Sequence, residues 1–323
     1  MDSRLYKMVL DLSLEYDGKR GSAYLDRIAS EYGYPSREAL RSAFRRERKR
    51  RGDEKLTTEQ RRKLDTPVVV FMDIETLPLK IEGLFWGIRD QYITPDKIKQ
   101  DVSLLGWAAK YMNESEIISD IMTPKETATY DSKRVAQSAR EFIASADYVV
   151  GHNWDGFDGG ILNTEFAMHR IPPVAYRSVD TYSLLKKHFR LTSYKLAFVN
   201  SKFGIRDKIS NEGFPLWERC VAGEQDALDE MRTYNEGDIF AVEDLFWYIQ
   251  PYVNSSLPNF GVWNFENTKI CNCGSTKFKM TDKYWTTKTA AYNVEVCSNC
   301  GALHRGRKNI LDKTLKNRLL VSI

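Results

Sequence analysis

The strongest constraint on the fold is an apolar run that ends in acidic residues. Residues 68–72 read Val-Val-Val-Phe-Met, follow Pro67, and lead directly into Asp73-Ile74-Glu75. A continuous apolar run of this length, introduced by a proline, is typical of a buried strand. Strand and helix patterns then alternate up to about residue 250, which is typical of an α/β domain. We therefore predict an α/β domain over residues 67–250.

The rest of this domain predicts both antiparallel strands and covering helices. Residues 103–112 and 117–122 are typical of strands, and their short connection favours an antiparallel meander. Apolar positions at helical spacing recur further along the chain. Helices are expected at about 131–146, 157–169, 181–189, 194–203 and 224–249, with a further strand at 147–152.

Asp73 and Glu75 lie two positions apart at the end of the first predicted strand. Side chains alternate between the two faces of a strand, so both carboxylates are expected on one face and Ile74 on the other, in the core. Taken alone, such a pair is equally typical of an exposed strand end.

A second strand runs into a polar loop and then a helix. Residues 148–158 read Tyr-Val-Val-Gly-His-Asn-Trp-Asp-Gly-Phe-Asp. Asp158 opens the helix, where a carboxylate is also favoured as a helix cap. Asp155, three residues earlier, is a competing candidate for a functional acid.

A third polar motif combines a hydroxyl with a carboxylate. Tyr234 and Asp238 are four residues apart on a predicted helix. Residues at this spacing project from the same face, one turn apart. The alternative is an ordinary Tyr–Asp pair on a helix surface.

The ordered set of motifs resembles the exonuclease motifs of the DEDD superfamily, whose fold is DnaQ-like and ribonuclease H-like. Asp-x-Glu at 73–75, Asn-x-x-x-Phe-Asp at 153–158 and Tyr-x-x-x-Asp at 234–238 follow one another in the order of that family. The tyrosine of the last motif is typical of the DEDDy branch. Residues 179–185 and 193–205 look most like the proofreading domains of family B DNA polymerases.

This resemblance implies a fold and an activity. The fold would be a ribonuclease H-like mixed sheet flanked by helices. The activity would be a metal-dependent 3′–5′ exonuclease acting on DNA, either single-stranded or at 3′ ends. The branch with a catalytic histidine is disfavoured, because that histidine would stand just before Asp238 and position 233 is Thr.

The resemblance also implies roles for individual residues. Asp73 would bridge two divalent cations, with Glu75 and Asp238 on one of them. Asp158 would bind the other cation or support the ligands from behind. Tyr234 would hydrogen-bond the attacking water and orient it.

Substrate contacts are implied for four further residues, namely Thr76, Leu77, Asn153 and Phe157. Asn153 has the alternative role of bracing a turn, and Phe157 has the alternative of packing in the core. Asp180, at a predicted strand end, is expected to cap a helix.

Carboxylates suit the hydrolysis of a phosphodiester. The reaction needs an attacking hydroxide, a neutralised non-bridging oxygen and a stabilised leaving 3′ oxygen, which two divalent ions about 4 Å apart supply together. Mg²⁺ and Mn²⁺ prefer carboxylate and water oxygens over imidazole or thiolate. The expected catalytic cofactors are therefore two Mg²⁺ or Mn²⁺ ions.

A pair of short cysteine motifs stands near the C-terminus. Cys271-Asn-Cys273-Gly and Cys297-Ser-Asn-Cys300-Gly flank a Lys-, Thr- and aromatic-rich segment, and together they resemble a zinc ribbon over residues 266–310. The first spacing is one residue shorter than usual, and His304 is an alternative ligand. We predict one structural Zn²⁺; the alternative, reduced cysteines in a small core, is disfavoured because so small a module lacks other means of stability.

The two ends of the chain are basic and the middle is acidic. Residues 1–65 carry a net charge of +5, residues 66–265 carry −8 and residues 266–323 carry +7. Residues 1–52 are expected to form a basic, helix-turn-helix-like module, residues 53–66 a linker, and residues 311–323 a basic tail. Basic flanks attract phosphate, although they are also common as solvated ends.

The remaining features bear on location and partners. The sequence has no long apolar run that predicts a membrane span and no apolar stretch of a signal peptide, which favours the cytoplasm of a bacterium or of a phage-infected host. The expected partners are DNA, with RNA as the alternative, and a separate DNA polymerase or replication protein if the activity serves proofreading or repair. Rival functions are an exoribonuclease, a structure-guided endonuclease and a catalytically silent nucleic-acid-binding protein.

Overall fold

The computed structural model describes residues 28–36, 39–40, 43, 67–83, 93–112, 114–206, 212–260 and 268–320. The chain divides into two compact units, Met1–Lys63 and Leu64–Ile323.

In the first unit, the described residues include the end of one helix and the start of another. Gly33 has a φ of +72°, a left-handed conformation that glycine adopts without steric cost and that ends a helix. Ser36 then accepts a hydrogen bond from the backbone N–H of Ala39, as expected of a helix cap. Ile28 and Leu40 are buried. The remaining residues of the predicted basic module and the linker at 53–66 lie outside the described residues.

The second unit contains an α/β domain followed by a small β module. Its strands are β1 (Val69–Leu77), β2 (Lys80–Ile81), β3 (Ile98–Gln100), β4 (Ser103–Tyr111), β5 (Ile118–Ile121), β6 (Tyr148–Gly151), β7 (Arg177–Asp180), β8 (Phe278–Thr286), β9 (Ala291–Cys297) and β10 (Leu303–Arg305). Its helices are α1 (Pro124–Thr129), α2 (Lys133–Ile143), α3 (Asp158–Met168), α4 (Thr181–His188), α5 (Leu196–Phe203), α6 (Phe214–Val221), α7 (Gln225–Val253) and α8 (Lys313–Asn317). Among the described residues, none of the helices combines the length and apolar character needed to cross a bilayer.

The main sheet has the strand order β5-β4-β1-β6-β7. Strand β4 is antiparallel to both β1 and β5, whereas β6 is parallel to both β1 and β7. This mixed sheet flanked by helices confirms the predicted ribonuclease H-like fold class. Since β1, β6 and β7 run in the same direction, the residues that follow them meet at one edge of the sheet, where ligands bind in open α/β sheets.

The two faces of the sheet bury alternating residues of β1. Val70, Met72 and Ile74 pack in one core cluster, whereas Val69 and Phe71 pack in the other. The long helix α7 covers the second face with apolar residues that include Ile239, Val242 and Phe246, which are 0% exposed. Full burial of each such side chain stabilises the fold by about 1.5–3 kcal/mol. Asp73 and Glu75 continue the row of Val69 and Phe71, so they face α7.

The C-terminal module is a three-stranded antiparallel sheet in the order β10-β9-β8. Its buried centre consists of Cys271, Cys297 and Ala302, with Phe278 packed beside them. So small an apolar core does not stabilise a module by itself, which is the usual reason for a metal staple.

Candidate active site

Strand β1 places the first two acids beside small residues of β4. Asp73 pairs with Ala108 and Glu75 pairs with Gly106, while the intervening Ile74 is 4% exposed and lies in the core. The predicted orientation of the two acids on one face is therefore confirmed. A Cβ on Gly106 would stand 2.9 Å from the backbone oxygen of Asp120, so only glycine fits opposite Glu75 without a shift.

Helix α7 brings a third acid to the same place. Asp238 is 2% exposed and lies on the helix face that packs against the sheet. Ligand oxygens of Asp73, Glu75 and Asp238 all lie within 4.8 Å of one another. Three ionised carboxylates this close repel one another, and a bound cation would relieve that repulsion. Their oxygens suit Mg²⁺ or Mn²⁺, and the residues present fit the expected metal.

Asn235 is a member of this site that the sequence did not reveal. Its Nδ2 donates a 2.7 Å hydrogen bond to Oδ2 of Asp73, and the residue is 4% exposed. A usable signal was present: Asn235 precedes Asp238 by three residues, so it occupies the same face of α7, where it interrupts an apolar stripe.

Asp158 lies at the start of α3 and contacts β1 between the two first acids. Its Oδ1 accepts a 3.2 Å hydrogen bond from the backbone N–H of Ile74, and the side chain is buried. Burial raises the pKa of Asp158 to about 7; the backbone N–H groups of Asp158 and Ile74 oppose this, and the nearby charge of Asp180 adds to it. Asp158 is not among the three clustered acids. It contacts the backbone of β1 at Ile74, between Asp73 and Glu75.

Asp180 fixes the loop between β6 and α3. Its Oδ1 accepts hydrogen bonds from the backbone N–H groups of Asn153 at 2.8 Å and Tyr182 at 2.9 Å, and its Oδ2 accepts one from the Ser183 hydroxyl at 2.9 Å. The bond from Tyr182 makes Asp180 the N-cap of α4, which confirms the predicted capping role.

Asn153 occupies a strained position in the same loop. Its φ is +68°, a left-handed conformation that asparagine tolerates better than most residues. Its carbonyl accepts hydrogen bonds from the N–H groups of Gly156 and Phe157. A Cβ at Gly156 would stand 2.6 Å from Oδ1 of Asn153, so the glycine makes room for the side chain. Asn153 therefore braces the turn, and its contact with a nucleic-acid strand remains a prediction.

Tyr234 lies one residue before Asn235 on α7 and packs partly against the core. Its ring meets Trp217 edge-on, with ring centroids 6.3 Å apart. The four-residue spacing places Tyr234 and Asp238 one turn apart on the helix that borders the acidic cluster.

The other predicted substrate contacts differ in exposure. Phe157 is 42% exposed, so the alternative that it packs in the core is wrong. Leu77 is 0% exposed and packs in the cluster of Ile74, so its side chain is not available to a nucleotide in this structure. Thr76 is half-buried. Contact of Thr76, Phe157 or the Leu77 backbone with substrate remains a prediction.

The four cysteines of the C-terminal module form a second cluster. Their sulfur atoms all lie within 4.8 Å of one another, with Sγ–Sγ distances of 3.6 Å for Cys271–Cys300 and for Cys273–Cys297. Zn–S bonds of 2.3 Å in a tetrahedron require sulfur separations of about 3.8 Å. The cluster therefore has the dimensions of a zinc–thiolate site, and the shorter Cys271–Cys273 spacing does not prevent it.

His304 lies beside this cluster. Its Nε2 is 3.3 Å from Sγ of Cys271, and burial lowers the pKa of its imidazole. A neutral ring with Nε2 protonated donates a hydrogen bond to that sulfur. His304 therefore lies as a hydrogen-bond partner of Cys271, a candidate ligand. The four sulfur atoms alone are sufficient for a tetrahedral site.

Comparison with known proteins identifies the family of the α/β domain. A model described as RNase_H superfamily matches residues 70–250, which is more than half of the chain. The chain belongs to the RNase_H superfamily. Membership in this superfamily points to a nucleic-acid hydrolase, and such enzymes use divalent metals. The comparison with curated proteins finds no relative.

A solved structure is also similar to this member of the RNase_H superfamily. It is the family B DNA polymerase from the hyperthermophilic archaeon Pyrobaculum calidifontis, which is 17% identical, with a TM-score of 0.43. The similarity covers 61% of this chain and 27% of the polymerase chain.

Proposed function

We propose that the protein is a 3′–5′ exonuclease of the DEDDy type that hydrolyses DNA with two divalent cations. The observation that supports this most is the close approach of Asp73, Glu75 and Asp238, brought from a central strand and a long helix to within 4.8 Å of one another. The acids of the Asp-x-Glu motif on β1 and of the Tyr-x-x-x-Asp motif on α7 are far apart in the sequence but lie close together in space.

The four acids would divide between two cations. Asp73, Glu75 and Asp238 would bind the first, and Asp73 and Asp158 the second. Bound Mg²⁺ or Mn²⁺ lowers the pKa of a ligated water and neutralises the charge that develops on the phosphate. Asn235 fixes the Asp73 carboxylate through the 2.7 Å bond to Oδ2, so that one oxygen is oriented before any cation arrives.

Tyr234 would orient the attacking water. A phenol with an ordinary pKa of about 10 is a weak free base at neutral pH. Its contribution is therefore positional: the hydroxyl accepts or donates one hydrogen bond and holds the water in line with the scissile P–O3′ bond.

The C-terminal module is proposed to bind one structural Zn²⁺ through Cys271, Cys273, Cys297 and Cys300. Although burial acts to raise it, the backbone N–H groups of Cys300 and Asn299 bring the pKa of the Cys297 thiol down to about 6. Burial raises the pKa of the Cys271 thiol, and it raises that of the Cys300 thiol to about 11, so Cys297 is the ligand that ionises first. A thiol that ionises easily is a good metal ligand. Four thiolates leave no open coordination position, so the role is structural.

The test uses 5′-labelled single-stranded DNA and RNA of equal sequence and about 20 nucleotides, with added Mg²⁺ or Mn²⁺. The natural protein is expected to give a ladder that shortens from the 3′ end of DNA. Asp73→Ala and Asp238→Asn are expected to abolish it. Asp155→Asn is the matched control, because Asp155 is an exposed acid of the same loop as Asp158 and lies outside the cluster.

Other outcomes would assign a different function. A ladder on RNA alone would establish an exoribonuclease, and internal cuts would establish an endonuclease. If the natural protein binds but does not cleave either polymer, the four-acid proposal is wrong and the protein is a binding protein.

A further inference from the structure

The C-terminal sheet has two unlike faces. Paired residues on neighbouring strands project from the same face. One face packs inward at Cys297, Ala291 and Glu295, which are 2%, 8% and 9% exposed. At other positions on β8 the same face is open, since Met280 and Tyr284 are 61% and 62% exposed. Phe278 and His304 pack edge to face on the same side, with ring centroids 5.4 Å apart.

The opposite side is here named the open face. The register places seven residues on it, namely Lys279, Trp285, Tyr292, Val294, Val296, Leu303 and Arg305. Trp285 is 57% exposed and Leu303 is 64% exposed, and Tyr292, Val294 and Val296 are half-buried. Large apolar side chains this exposed on one continuous face are typical of an interaction surface.

The open face carries a row of π systems that crosses the three strands. Trp285 on β8 pairs directly with Tyr292 on β9. The guanidinium of Arg305 on β10 lies over the Tyr292 ring, 4.6 Å from its centroid. Cross-strand neighbours are about 5 Å apart at Cβ, so the two aromatic side chains are adjacent, and each carries a ring on which a base can stack.

The charges of this face have one sign. Its charged side chains are Lys279 and Arg305, both cationic, and Glu295 projects from the opposite side. Exposed cations also lie on or near these strands in the sequence, namely Lys277, Lys283, Lys288, Arg307 and Lys308, against one exposed acid on β8, Asp282. Flat aromatic rings flanked by cations are complementary to bases and phosphates of a single strand, whereas an acidic protein would make no use of the aromatic row.

We propose that the open face of the C-terminal sheet binds single-stranded nucleic acid, with bases stacked on Trp285 and Tyr292 and phosphates held by Arg305 and Lys279. This surface deepens the proposed function, because it would hold the strand whose 3′ end the acidic site cleaves. The C-terminal module would then bind substrate in addition to its structural role.

The test measures binding of fluorescent oligo-dT and oligo-U of about 20 nucleotides by anisotropy, with full-length Asp73→Ala protein so that cleavage does not interfere. Trp285→Ala is expected to weaken binding roughly 5- to 100-fold, the range for loss of one stacked base. Arg305→Ala is expected to weaken binding and to lower the slope of log K against log salt by about 0.7, the value for one phosphate contact.

Tyr284→Ala is the matched control. Tyr284 is the neighbouring aromatic on β8 and is 62% exposed, but its partner Asn293 places it on the other side of the sheet. This variant is expected to bind like its parent. Zinc content and circular dichroism of each variant establish that the module is folded.

The outcomes separate this proposal from the proposed function. Equal loss in Tyr284→Ala and Trp285→Ala, or no loss in a folded Trp285→Ala protein, would overturn the open face as the binding surface while leaving cleavage by the natural protein intact. Failure of the natural protein to cleave, with binding still dependent on Trp285, would overturn only the exonuclease. Comparison of oligo-dT with oligo-U identifies the polymer that is preferred.

Discussion

Asn235 on α7 donates a 2.7 Å hydrogen bond from its side-chain amide to Oδ2 of Asp73 on β1. The two residues are 162 positions apart in the chain and both belong to the floor of the candidate active site. An amide donor suits this place, because it orients one carboxylate oxygen without adding a charge that would compete with a cation.

Removal of this amide is predicted to impair the metal site more than the fold. Asn235→Ala is expected to lower activity or apparent Mg²⁺ affinity about 10- to 100-fold, the usual effect of removing a partner behind a metal ligand. The measurement is the cleavage rate as a function of Mg²⁺ concentration. Thr233→Ala is the control, since Thr233 is exposed and its hydroxyl donates a hydrogen bond to the Asp229 carbonyl of its own helix. Equal activity of Asn235→Ala and Thr233→Ala would contradict the role given to the amide.

Asp158 is predicted to make the metal-free protein less stable as the pH rises from about 4 to 7. Its pKa is raised to about 7, chiefly by burial, so the folded state keeps a proton that the unfolded chain releases near its ordinary value of about 4. The free energy of unfolding contributed by this group therefore falls with pH in that window, by at most about 1.4 kcal/mol per pH unit, and is constant above it.

Asp158→Asn removes this titration and gives the comparison. Urea unfolding of both proteins is measured without added Mg²⁺ or Mn²⁺ at about pH 4.5, 6 and 7.5. The natural protein is expected to lose stability relative to the variant as pH increases. A difference between the two proteins that does not change with pH would show that Asp158 titrates in its ordinary range.

Much of the acidic site was predictable because it depends on local periodicity. Alternation along a strand placed Asp73 and Glu75 together with Ile74 in the core, and helical spacing placed Tyr234 one turn from Asp238. The predicted strands and helices of the α/β domain are confirmed apart from their exact ends. Helices α1 and α6 and the paired strands β2 and β3 were not predicted, since each is short.

The sequence-based prediction was wrong where strand pairing interrupts the alternation of side chains along β1. Period two from Glu75 would place Leu77 on the acid-bearing face, yet Leu77 packs with Ile74 because the β1–β4 register shifts between Glu75 and Thr76. Similarly, the sequence assigns Asn235 to a helix face but cannot name its partner, since that contact depends on how α7 crosses the sheet.

Asn272 is predicted to join the C-terminal module to the α/β domain. Its side chain is 9% exposed, accepts a 3.0 Å hydrogen bond from the N–H of Phe260, and donates to Oδ1 of Asn254 at 3.0 Å and the carbonyl of Pro258 at 2.9 Å. Asn272→Ala removes the partners of the buried Pro258 carbonyl and the half-buried Phe260 N–H, whereas Oδ1 of Asn254 keeps its hydrogen bond from Gln250. Leaving a buried acceptor unsatisfied costs about 1–3 kcal/mol. Urea unfolding is expected to show this loss with zinc content unchanged, because the sulfur atoms remain. Simultaneous loss of zinc would mean that Asn272 shapes the metal site instead.

Loss of the metal cluster is predicted to unfold the C-terminal module and leave the α/β domain folded. The module has little apolar core besides Cys271, Cys297 and Ala302, so bonds from the cysteines to the proposed zinc would supply most of its stability. Cys297→Ser is expected to reduce zinc from one atom per chain to none and to expose residues 268–310 to protease. Cys220→Ser is the control, because Cys220 is buried in the α/β core, away from the cluster. Zinc binding that survives Cys297→Ser, or protease resistance without zinc, would show that the module is stable for a different reason.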